Sequence, residues 1–455
     1  MSSSSPLRIA IIGAGPAGLG AAIALSELPN VEVKVYEKAK ELREVGAGIR
    51  IGFNCWRVLG LLGADEGVRG HHKVKVNHRN GLTGALVGST NAQDLPKRLQ
   101  PHRVRRRRLQ TALLAQVKPG VIRLGKALNS VEDLGEGKGV KLVFEDGEVT
   151  EADLVVGGDG IRSAVRDAVY PDHTTRFTGT IIWRTLIPWS KVKHLPEIAE
   201  TTAWWYGKDG HVYTSPVDDP EELCDAERML EISCRNLVDP ATDLTKRFNW
   251  GVPATNERVV SHFTDYDPQV REAMAVALEG TWREFSAFAG ARLDKLTAWD
   301  KVVLLGDASH PLSGAFGSGA AFALEDGWIL ARAIQYTRGS THALRDALKI
   351  FDEIRSPYYM RMYEFLDEQK GRAQAVKHLS PDQRFEAALK LRADGLNMES
   401  KMPWIYMNDI VKVWEQWIAE HEGPSRSNDR GSIAKQDSVL LDDRRAATAE
   451  VSVTA

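Results

Sequence analysis

The feature that most constrains the fold is an apolar run that ends in Gly13-x-Gly15-x-x-Gly18 and passes directly into an alanine-rich segment. A second apolar run follows and ends in Glu37, 19 residues after Gly18. A strand, a glycine-rich turn, a helix and a second strand with an acid about 20 residues beyond the glycines are the pattern of a dinucleotide-binding βαβ unit. The sequence therefore predicts a parallel sheet with a dinucleotide at its carboxyl edge.

Each part of this motif has its own physical task. Gly13 allows a tight turn, Gly15 lets the backbone approach a pyrophosphate, and Gly18 lets the helix pack close to the strand. The helix N-terminus then offers free N–H groups and a partial positive charge to the phosphates. We expect Glu37 to accept hydrogen bonds from the hydroxyls of the adenosine ribose. The alternative is a βαβ unit that tolerates the glycines and binds no ligand.

Chain length, net charge and cysteine content limit the classes of protein to which this chain can belong. A chain of 455 residues has room for two domains, or for one domain with a large insertion. A net charge of −2 creates no overall field toward nucleic acid or acidic membranes. No apolar stretch approaches the roughly 20 residues of a membrane span, and the N-terminus lacks the pattern of a secretory signal. The three cysteines, which lack metal-ligand spacing and cannot all pair, fit a reducing compartment, so we expect a cytoplasmic protein.

One dense basic run consists of Arg103 and Arg105–Arg108. Such runs also occur in nuclear localisation signals and nucleic-acid patches. Here the run opens a segment with helical periodicity, and the rest of the chain is balanced in charge. We therefore predict a solvated helix start with one arginine turned inward, and no nucleic-acid partner.

Two further apolar runs end in glycine and aspartate. The first reaches Gly158-Asp159-Gly160, and the second, a strand predicted from Trp299 to Leu305, reaches Gly306-Asp307. An aspartate at the end of a parallel strand faces the crevice where ligands bind. Asp159 and Asp307 are therefore candidate ligand-binding residues.

Glycines recur in two other segments. Glu44–Gly52 includes Gly48 and either runs flat along a bound cofactor or forms a flexible loop. The other segment contains Gly317 and Gly319 and precedes a helix predicted over about 320–334. These glycines let the backbone touch a ring, and the N-terminus of the helix points at it.

The predicted secondary structure differs between successive segments of the chain. Strand-like stretches dominate between residues 178 and 298, where six of the twelve tryptophans lie, with a seventh just beyond at Trp299. We expect most of these tryptophans to fill the core of a sheet. Residues 343–422 have helical spacing punctuated at Pro357, and residues 423–455 are expected to be disordered. The predicted strands are 180–188, 202–206, 211–217 and 229–234, and a helix is predicted over 265–278.

The three strand–turn–helix motifs, in this order, resemble those of the group A flavoprotein monooxygenases, which include salicylate hydroxylase and p-hydroxybenzoate hydroxylase. The resemblance covers roughly residues 7–420 and extends to strands near Trp183 and His211. It implies an α/β fold with a Rossmann-like FAD-binding domain, an inserted, mostly β-sheet substrate domain and a C-terminal helical region. The implied boundaries are 1–75, 105–177 and 299–342 for FAD binding, 76–104 and 178–298 for the substrate domain, 343–422 for the helical region and 423–455 for a disordered tail.

The resemblance also implies roles for individual residues. Arg106 would lie near the FAD phosphates or ribityl chain, Asp307 would bind the ribityl chain, and Pro311 would lie against the isoalloxazine. Asp159 belongs to a motif tied to both FAD and NAD(P)H. The full set implied to contact FAD is Gly13, Gly15, Gly18, Glu37, Gly48, Arg106, Asp159, Asp307, Pro311, Gly317 and Gly319.

The activity implied by the resemblance is hydroxylation of a small aromatic substrate, phenolic, salicylate-like or polycyclic, with O₂ and NADH or NADPH, through a flavin C4a-hydroperoxide. Activation of a phenol requires a base or a cation, and the candidates are Arg184, Tyr206, His211 and Tyr213. Strand alternation puts His211 and Tyr213 on the same face. Many relatives have Leu-Pro-Phe-x-Gly-x-Gly where this chain has the less bulky Ser313–Gly319, so the substrate of salicylate hydroxylase is not transferred.

Several alternatives stay open at this point. The same scaffold serves epoxidases and other FAD oxidoreductases, and the choice between hydroxylation and epoxidation is undecided. Halogenases usually carry Trp-x-Trp-x-x-Ile, and this chain has only Trp183-Arg-Thr-Leu-Ile187. A flavin-bound interaction protein or a nucleic-acid binder is the non-enzymatic alternative. We expect a monomer or homodimer.

Overall fold

The computed structural model describes residues 5–42, 47–73, 75–91, 95–238, 250–312, 314–394 and 401–422. The strands are β1 Leu7–Ile12, β2 Val31–Glu37, β3 Gly48–Ile51, β4 His71–His72, β5 Lys75–Asn80, β6 Leu86–Asn91, β7 His102–Arg105, β8 Ile122–Leu124, β9 Leu128–Asp133, β10 Val140–Phe144, β11 Val149–Ala152, β12 Leu154–Gly157, β13 Thr175–Pro188, β14 Thr202–Tyr206, β15 Gly210–Pro216, β16 Met229–Leu237, β17 Trp250–Ala254, β18 Trp282–Gly290, β19 Thr297–Ala298 and β20 Val302–Leu304. The helices are α1 Pro16–Ser26, α2 Phe53–Leu61, α3 Arg106–Gln116, α4 Ala164–Val169, α5 Pro196–Ala199, α6 Asn256–Val260, α7 Pro268–Ala275, α8 Gly319–Tyr336, α9 Ala343–Ala375, α10 Pro381–Asp394, α11 Pro403–Tyr406 and α12 Ile410–His421.

The first sheet has the order β19-β20-β12-β1-β2-β8, and all of its neighbours are parallel except β19 with β20. β12 and the Ile9–Ile12 part of β1 are apolar and buried because both faces of the sheet are covered there. Ile9 and Ile11 of β1 point into the core formed with α1 and α8, whereas Ala10 and Ile12 belong to the core beneath the three-stranded sheet β11-β10-β9. The parallel strands β1, β12 and β20 end at one edge, and this is where the three predicted motifs begin.

The second large sheet has the order β17-β18-β13-β16-β15-β14-β5-β6. The strands predicted at 180–188, 202–206, 211–217 and 229–234 are confirmed, and β13 extends further toward the N-terminus than expected. Two of its strands, β5 and β6, come from residues 75–91, and β5 pairs parallel with β14. Alternation along the strands gives this sheet two different faces.

One face of the eight-stranded sheet is a dry core covered by α5, α6 and α7. Trp183, Trp205 and Trp282 are fully buried in it. The core role expected of most tryptophans is therefore confirmed for these three. The opposite face carries Trp204 and Glu231, and Glu231 binds Gly48 of β3 and Arg103 of β7.

Two predictions about local structure were wrong. The strand predicted from Trp299 begins only at Val302, because Trp299 and Asp300 form the turn between β19 and β20 with φ of 54° and 56°. Pro357 does not interrupt the helix but lies inside the 33-residue α9. Arg355, two residues earlier, is buried and hydrogen-bonded to α8, so tertiary contacts hold the helix through the position where proline removes a backbone N–H.

The glycine-rich segment Glu44–Gly52 was expected either to run flat along a bound cofactor or to form a flexible loop. Residues 43–46 lie outside the described residues. Gly48–Ile51 is strand β3, paired antiparallel with β7, so this part is not a flexible loop. Among the described helices, none combines the length and apolarity needed to cross a membrane.

Candidate active site

The first glycine corner joins β1 to α1. Gly13 has φ +96°, and a Cβ there would lie 2.6 Å from the carbonyl oxygen of Gly158. A Cβ on Gly18 would lie 1.8 Å from the carbonyl oxygen of Gly13, so the helix packs on the turn as the motif predicts. A Cβ on Gly15 would meet nothing within 4 Å, and no side chain caps the N-terminus of α1. At Gly15 the turn therefore presents open backbone beside the uncapped start of α1, which is the geometry that anions bind.

Glu37 lies at the end of β2 and is held against this corner. Its Oε2 accepts the N–H of Ala14 at 2.8 Å, and its Oε1 accepts the N–H of Ala39 at 2.8 Å. These two bonds fix the carboxylate beside the glycine turn. Each oxygen has a second lone pair that a sugar hydroxyl can use.

The second corner, after β12, is built around Asp159. Its Oδ1 accepts the hydroxyl of Ser163 at 2.5 Å, and its Oδ2 accepts the N–H of Val165 at 3.2 Å. Burial raises the pKa of Asp159, and these hydrogen bonds oppose that rise. The buried Arg166 donates to the carbonyl of Ala308 at 3.2 Å, which ties this corner to the third one.

The third corner follows β20. The side chain of Asp307 is solvent-accessible, while surrounding protein removes much of its hydration and raises the pKa of its carboxyl. The positive charge of Arg106 and a protonated His310 act in the opposite direction. Pro311 is buried beside the corner. Arg106 begins α3, and its N–H donates to the carbonyl of Ala47 at 2.9 Å.

The corner rests on a buried ionic network centred on Asp326 of α8. Its Oδ2 accepts the N–H of Gly306 at 2.9 Å and faces Nε2 of His310 at 3.3 Å. Its Oδ1 accepts Arg355 Nε and the Tyr359 hydroxyl, both at 2.7 Å. These contacts hold the pKa of Asp326 at about 2, because favourable charges and hydrogen bonds outweigh the cost of burial.

Glu325 is the second carboxylate of this network. Arg355 Nη2 donates to it at 3.2 Å and Asn408 Nδ2 at 3.0 Å. Burial raises its pKa to about 7, with the nearby Asp326 adding to the rise. Sequence reasoning missed this network, although two adjacent acids on an otherwise apolar helix were a visible signal.

The glycine loop before α8 is open on one side. Cβ atoms built on Gly317 and Gly319 would meet nothing within 4 Å, and no side chain caps α8. Arg50, which sequence reasoning also missed, donates to the Ser318 hydroxyl at 3.0 Å and lies over the Tyr406 ring at 4.9 Å. The loop is therefore held from outside and faces the cleft with backbone alone.

The arginine run binds acidic side chains inside the protein and does not form a mainly solvated surface. Arg103 Nε donates to the fully buried Glu231 at 2.6 Å, and Arg105 Nε donates to Asp218 at 2.6 Å. Gly48 N–H donates to the same Glu231 at 3.0 Å, and a Cβ at Gly48 would collide with that carboxylate. The expectation of a single inward arginine was wrong, because two strand residues of the run bind acids of the eight-stranded sheet.

His211 and Tyr213 lie on one face, as alternation predicts, and both rings contact Trp204. The centroid separations are 4.9 Å for His211 and 4.7 Å for Tyr213. Tyr206 lies on the same wall, with its ring 6.3 Å from that of His211 and its hydroxyl 2.8 Å from Nδ1 of His78. Together these rings form an aromatic wall on the sheet face opposite the tryptophan core, with the His211 and Tyr213 rings inclined to Trp204 by 73° and 56°.

Three ionisable side chains on this face of the sheet have shifted pKa values. Burial, reinforced by Arg235 and Arg392, holds the pKa of His211 well below 6.5, so the ring is neutral at pH 7. Burial raises the pKa of Tyr213. Arg184 of β13 has a pKa lowered to about 10, because burial and neighbouring arginines outweigh the attraction of Glu231. The lowered pKa leaves this imidazole unprotonated but makes it a weak base, while the incompletely balanced cations would lower the pKa of a nearby phenol and stabilise its anion.

Comparison with known proteins agrees with this geometry. A family model described as "FAD binding domain" matches residues 7–365. The chain is 32% identical over 336 residues to 3-amino-4-hydroxybenzoate 2-monooxygenase of Streptomyces platensis, which covers 71% of this chain and 78% of that protein. It is 27% identical to salicylate hydroxylase of Pseudomonas putida, over 79% of this chain and 84% of that protein.

The fold also matches solved structures. A salicylate hydroxylase substrate complex aligns with a TM-score of 0.70 at 23% identity, covering 91% of this chain and 98% of the other. Klebsiella pneumoniae HpxO complexed with FAD and uric acid aligns with a TM-score of 0.68 at 20% identity, covering 90% of this chain and 97% of the other. At these identities the likeness concerns the fold alone.

Proposed function

The chain belongs to the FAD binding domain family and its named relatives are monooxygenases, so it is an FAD-dependent monooxygenase, and we propose that it hydroxylates a phenolic aromatic ring stacked in the cleft between the two large sheets. The relatives carry names of hydroxylases of substituted benzoates, salicylates and nicotinates. The observation that carries the proposal is the pairing of a backbone-lined groove with an aromatic wall that contains a neutral histidine. NADH or NADPH is the reductant. Monomer or homodimer state and cytoplasmic location remain predictions.

The residues present fit FAD. The open side of Gly15 and the uncapped start of α1 suit the pyrophosphate, with Glu37 held beside them for the ribose. Asp307 suits the ribityl chain, and the bare backbone at Gly317–Gly319 suits a flat ring. We assign the remaining cofactor contacts to Gly13, Gly18, Gly48, Arg106, Asp159 and Pro311, and the substrate-facing layer to residues 76–104 and 178–298 of the predicted layout.

FAD, when bound, supplies the redox chemistry and the activation of O₂. The protein orients the substrate and keeps water out. Trp204 provides a flat surface for an aromatic ring, and His211, neutral at pH 7, accepts the proton of a substrate hydroxyl at a ring nitrogen. The charge of Arg184 stabilises the resulting phenolate. Tyr213, protonated because burial raises its pKa, donates a hydrogen bond to it.

The test compares His211→Asn with His194→Asn, a control whose side chain is exposed and paired with Glu272. Each variant is reconstituted with FAD and assayed with NADH and NADPH against a panel of phenols and aromatic acids. We expect His211→Asn to lower coupled hydroxylation by about 10²–10⁴-fold at unchanged FAD content. The control keeps full activity.

Two outcomes would count against the proposal. If product formation in His211→Asn equals that of the parent enzyme, this histidine is not the base. If the purified chain stays colourless after reconstitution with FAD, the monooxygenase function itself fails. Product NMR distinguishes a hydroxylated ring from an epoxide.

A further inference from the structure

The C-terminal segment, residues 401–422, packs against the cofactor side of the molecule. It contains α11 and α12 and lies outside residues 7–365, which the family model matches. Ile405 and Ile410 of this segment are buried in the same core as α1 and α8. The segment is therefore part of the scaffold that carries the glycine loop of residues 314–319.

Two tyrosines join the segment to opposite ends of α8. Just before the helix begins, the Tyr406 hydroxyl donates to the carbonyl of Phe316 in the glycine loop at 3.2 Å. At the last residue of the helix, the Tyr336 hydroxyl donates to Glu422 at 2.7 Å. The first contact holds the loop itself, whereas the second holds the far end of the helix.

Tyr406 also supports the loop through a cation. The guanidinium of Arg50 lies over the Tyr406 ring at 4.9 Å and donates to the Ser318 hydroxyl at 3.0 Å. Phe316 and Ser318 are buried, while a Cβ built on Gly317 between them would meet nothing within 4 Å. The loop is therefore held at alternate residues and left open at the glycine.

The backbone that carries Tyr406 is itself fixed by two neighbouring helices. Asn408 Nδ2 donates to Glu325 of α8 at 3.0 Å. Asp409 forms an ion pair with Arg57 of α2 at 3.2 Å. Because both contacts lie within three residues of Tyr406, its hydroxyl approaches the loop from a rigid base.

We propose that Tyr406 is a positioning residue that fixes the 314–319 loop against the flavin ring, so that the C-terminal segment sets the environment of the cofactor. The inference rests on the proposed function, which assigns the ring to the bare backbone at Gly317–Gly319. The start of α8 carries the partial positive charge of a helix N-terminus, which stabilises an anionic reduced flavin. This effect falls off within one helical turn, so a loop that moves away from the ring weakens it.

The test compares Tyr406→Phe with Tyr336→Phe. Each variant removes one hydroxyl that joins the C-terminal segment to α8. Tyr336 is the matched control because it lies roughly 25 Å from the loop, at about 1.5 Å of rise per helical residue. Both variants keep the aromatic ring and its packing.

The first readout is hydrogen exchange of the amides in residues 314–319, measured without and with FAD. We expect FAD to slow this exchange in the parent protein. Without FAD, Tyr406→Phe speeds the exchange by about two- to tenfold, which corresponds to the loss of one hydrogen bond. Tyr336→Phe leaves the exchange of the loop at the parent rate.

The second readout is the midpoint potential of the bound flavin, measured by reductive titration against an indicator dye. We expect a more negative potential in Tyr406→Phe and the parent potential in Tyr336→Phe. Tyr406→Leu also removes the ring beneath Arg50 and gives a larger shift in the same direction. A tyrosine with only a structural role would lower the melting temperature and leave the potential unchanged. Neither readout needs an aromatic substrate or turnover.

The proposal alone is overturned if FAD slows exchange of the loop in the parent while Tyr406→Phe keeps the parent exchange or the parent potential. An equal shift of the potential in Tyr336→Phe also overturns it. If FAD binds the parent without slowing exchange of the loop, the assignment of the ring to Gly317–Gly319 fails together with this proposal. Absence of hydroxylated product from every member of the phenol panel would instead overturn the proposed function, so the failures are distinguishable.

Discussion

The fully buried Arg355 and the half-buried Arg184 and Arg235 of the aromatic wall differ in how their charge is balanced. On the side of the parallel sheet, Arg355 is bound by Asp326, Glu325 and the Tyr359 hydroxyl. On the side of the aromatic wall, Arg184 and Arg235 have no carboxylate within ion-pair distance among the described residues, and burial lowers the pKa of both. The charge of Arg355 is balanced within the protein, whereas the charges of Arg184 and Arg235 are balanced only in part.

The difference shows how scaffold and binding site can be told apart in this protein. A buried charge that is fully paired holds helices and strands together, and removing it leaves its partners buried without a counter-charge. A buried charge without a partner lowers stability and persists when a ligand needs it. The same contrast applies to glycines, since Gly18 is packed against backbone while Gly15 faces open space.

The largest expected effect tests directly whether paired and unpaired arginines contribute differently to stability. Arg355→Met leaves Asp326 and Glu325 buried without their guanidinium, and we expect it to lower the free energy of unfolding by about 3–5 kcal/mol. Arg184→Met removes an unpaired cation and is expected to leave that free energy unchanged or to raise it. Urea denaturation measures both.

Arg345→Met serves as the control, because Arg345 is 54% exposed and only loosely paired with Asp346. Its effect is expected to stay within about 0.5 kcal/mol. Equal losses in Arg355→Met and Arg184→Met would remove the distinction between the two groups.

The next effect concerns the two glycines. Gly18→Ala places a Cβ 1.8 Å from a backbone oxygen, so we expect a loss of about 3 kcal/mol in the free energy of unfolding and little retained FAD. Gly15→Ala meets no atom within 4 Å and has φ −76°, so the apoprotein folds normally. Its FAD affinity falls by about tenfold or more, since the methyl group occupies the approach of the pyrophosphate.

Thermal melting of the apoproteins and FAD titration separate the two results. If Gly15→Ala binds FAD as tightly as the parent, the cofactor does not approach this turn.

A smaller effect depends on pH. The folded-state pKa of Glu325, about 7, lies above its ordinary value of 4.5, so folding favours the protonated form. The stability that this provides is present below pH 4.5 and is lost as pH rises toward 7. Glu325→Gln, which carries no charge at any pH, is expected to flatten this decline and to be more stable than the parent above pH 7, by roughly 1–3 kcal/mol.

Asp326 provides the opposite slope, because its pKa is lowered from 3.8 to about 2 and its contribution is lost as pH falls through that range. Urea denaturation at pH 5, 6, 7 and 8 isolates Glu325 from it. Parallel pH profiles for parent and Glu325→Gln would show that Glu325 does not titrate in this window.

The smallest effect is at the surface. Lys97 and Glu221 form an ion pair at 3.3 Å with side chains 69% and 77% exposed. Lys97→Ala is expected to change the melting temperature by less than about 2 °C, because solvent and salt screen such pairs. A larger shift would mean that exposed charge also stabilises this fold.

Much of the cofactor side could be predicted because its information is local. The turn at Gly13–Gly18, the acid at Glu37 and the helix starting at Gly319 are each encoded within a few residues of the element they shape. Such motifs can be recognised from residue spacing alone, because the spacing is set by local backbone geometry.

The substrate side could be predicted only in part. Alternation put His211 and Tyr213 on one face, but nothing local says that Arg103 binds Glu231, 128 residues away, or that Arg105 binds Asp218, 113 residues away. Pro357 was misjudged for the same reason, since the contacts that keep α9 helical come from α8. Long-range pairing overrides local propensity at these positions.

The β5–β6 hairpin has a consequence for synthesis on the ribosome. Its neighbour in the sheet, β14, begins at Thr202, roughly a hundred residues after β6 ends at Asn91. At roughly 5–20 residues per second, the hairpin emerges about 5–20 seconds before the strand it joins. During that interval the edge of β5 that later pairs with β14 has open backbone donors and acceptors, to which a strand of another chain can bind.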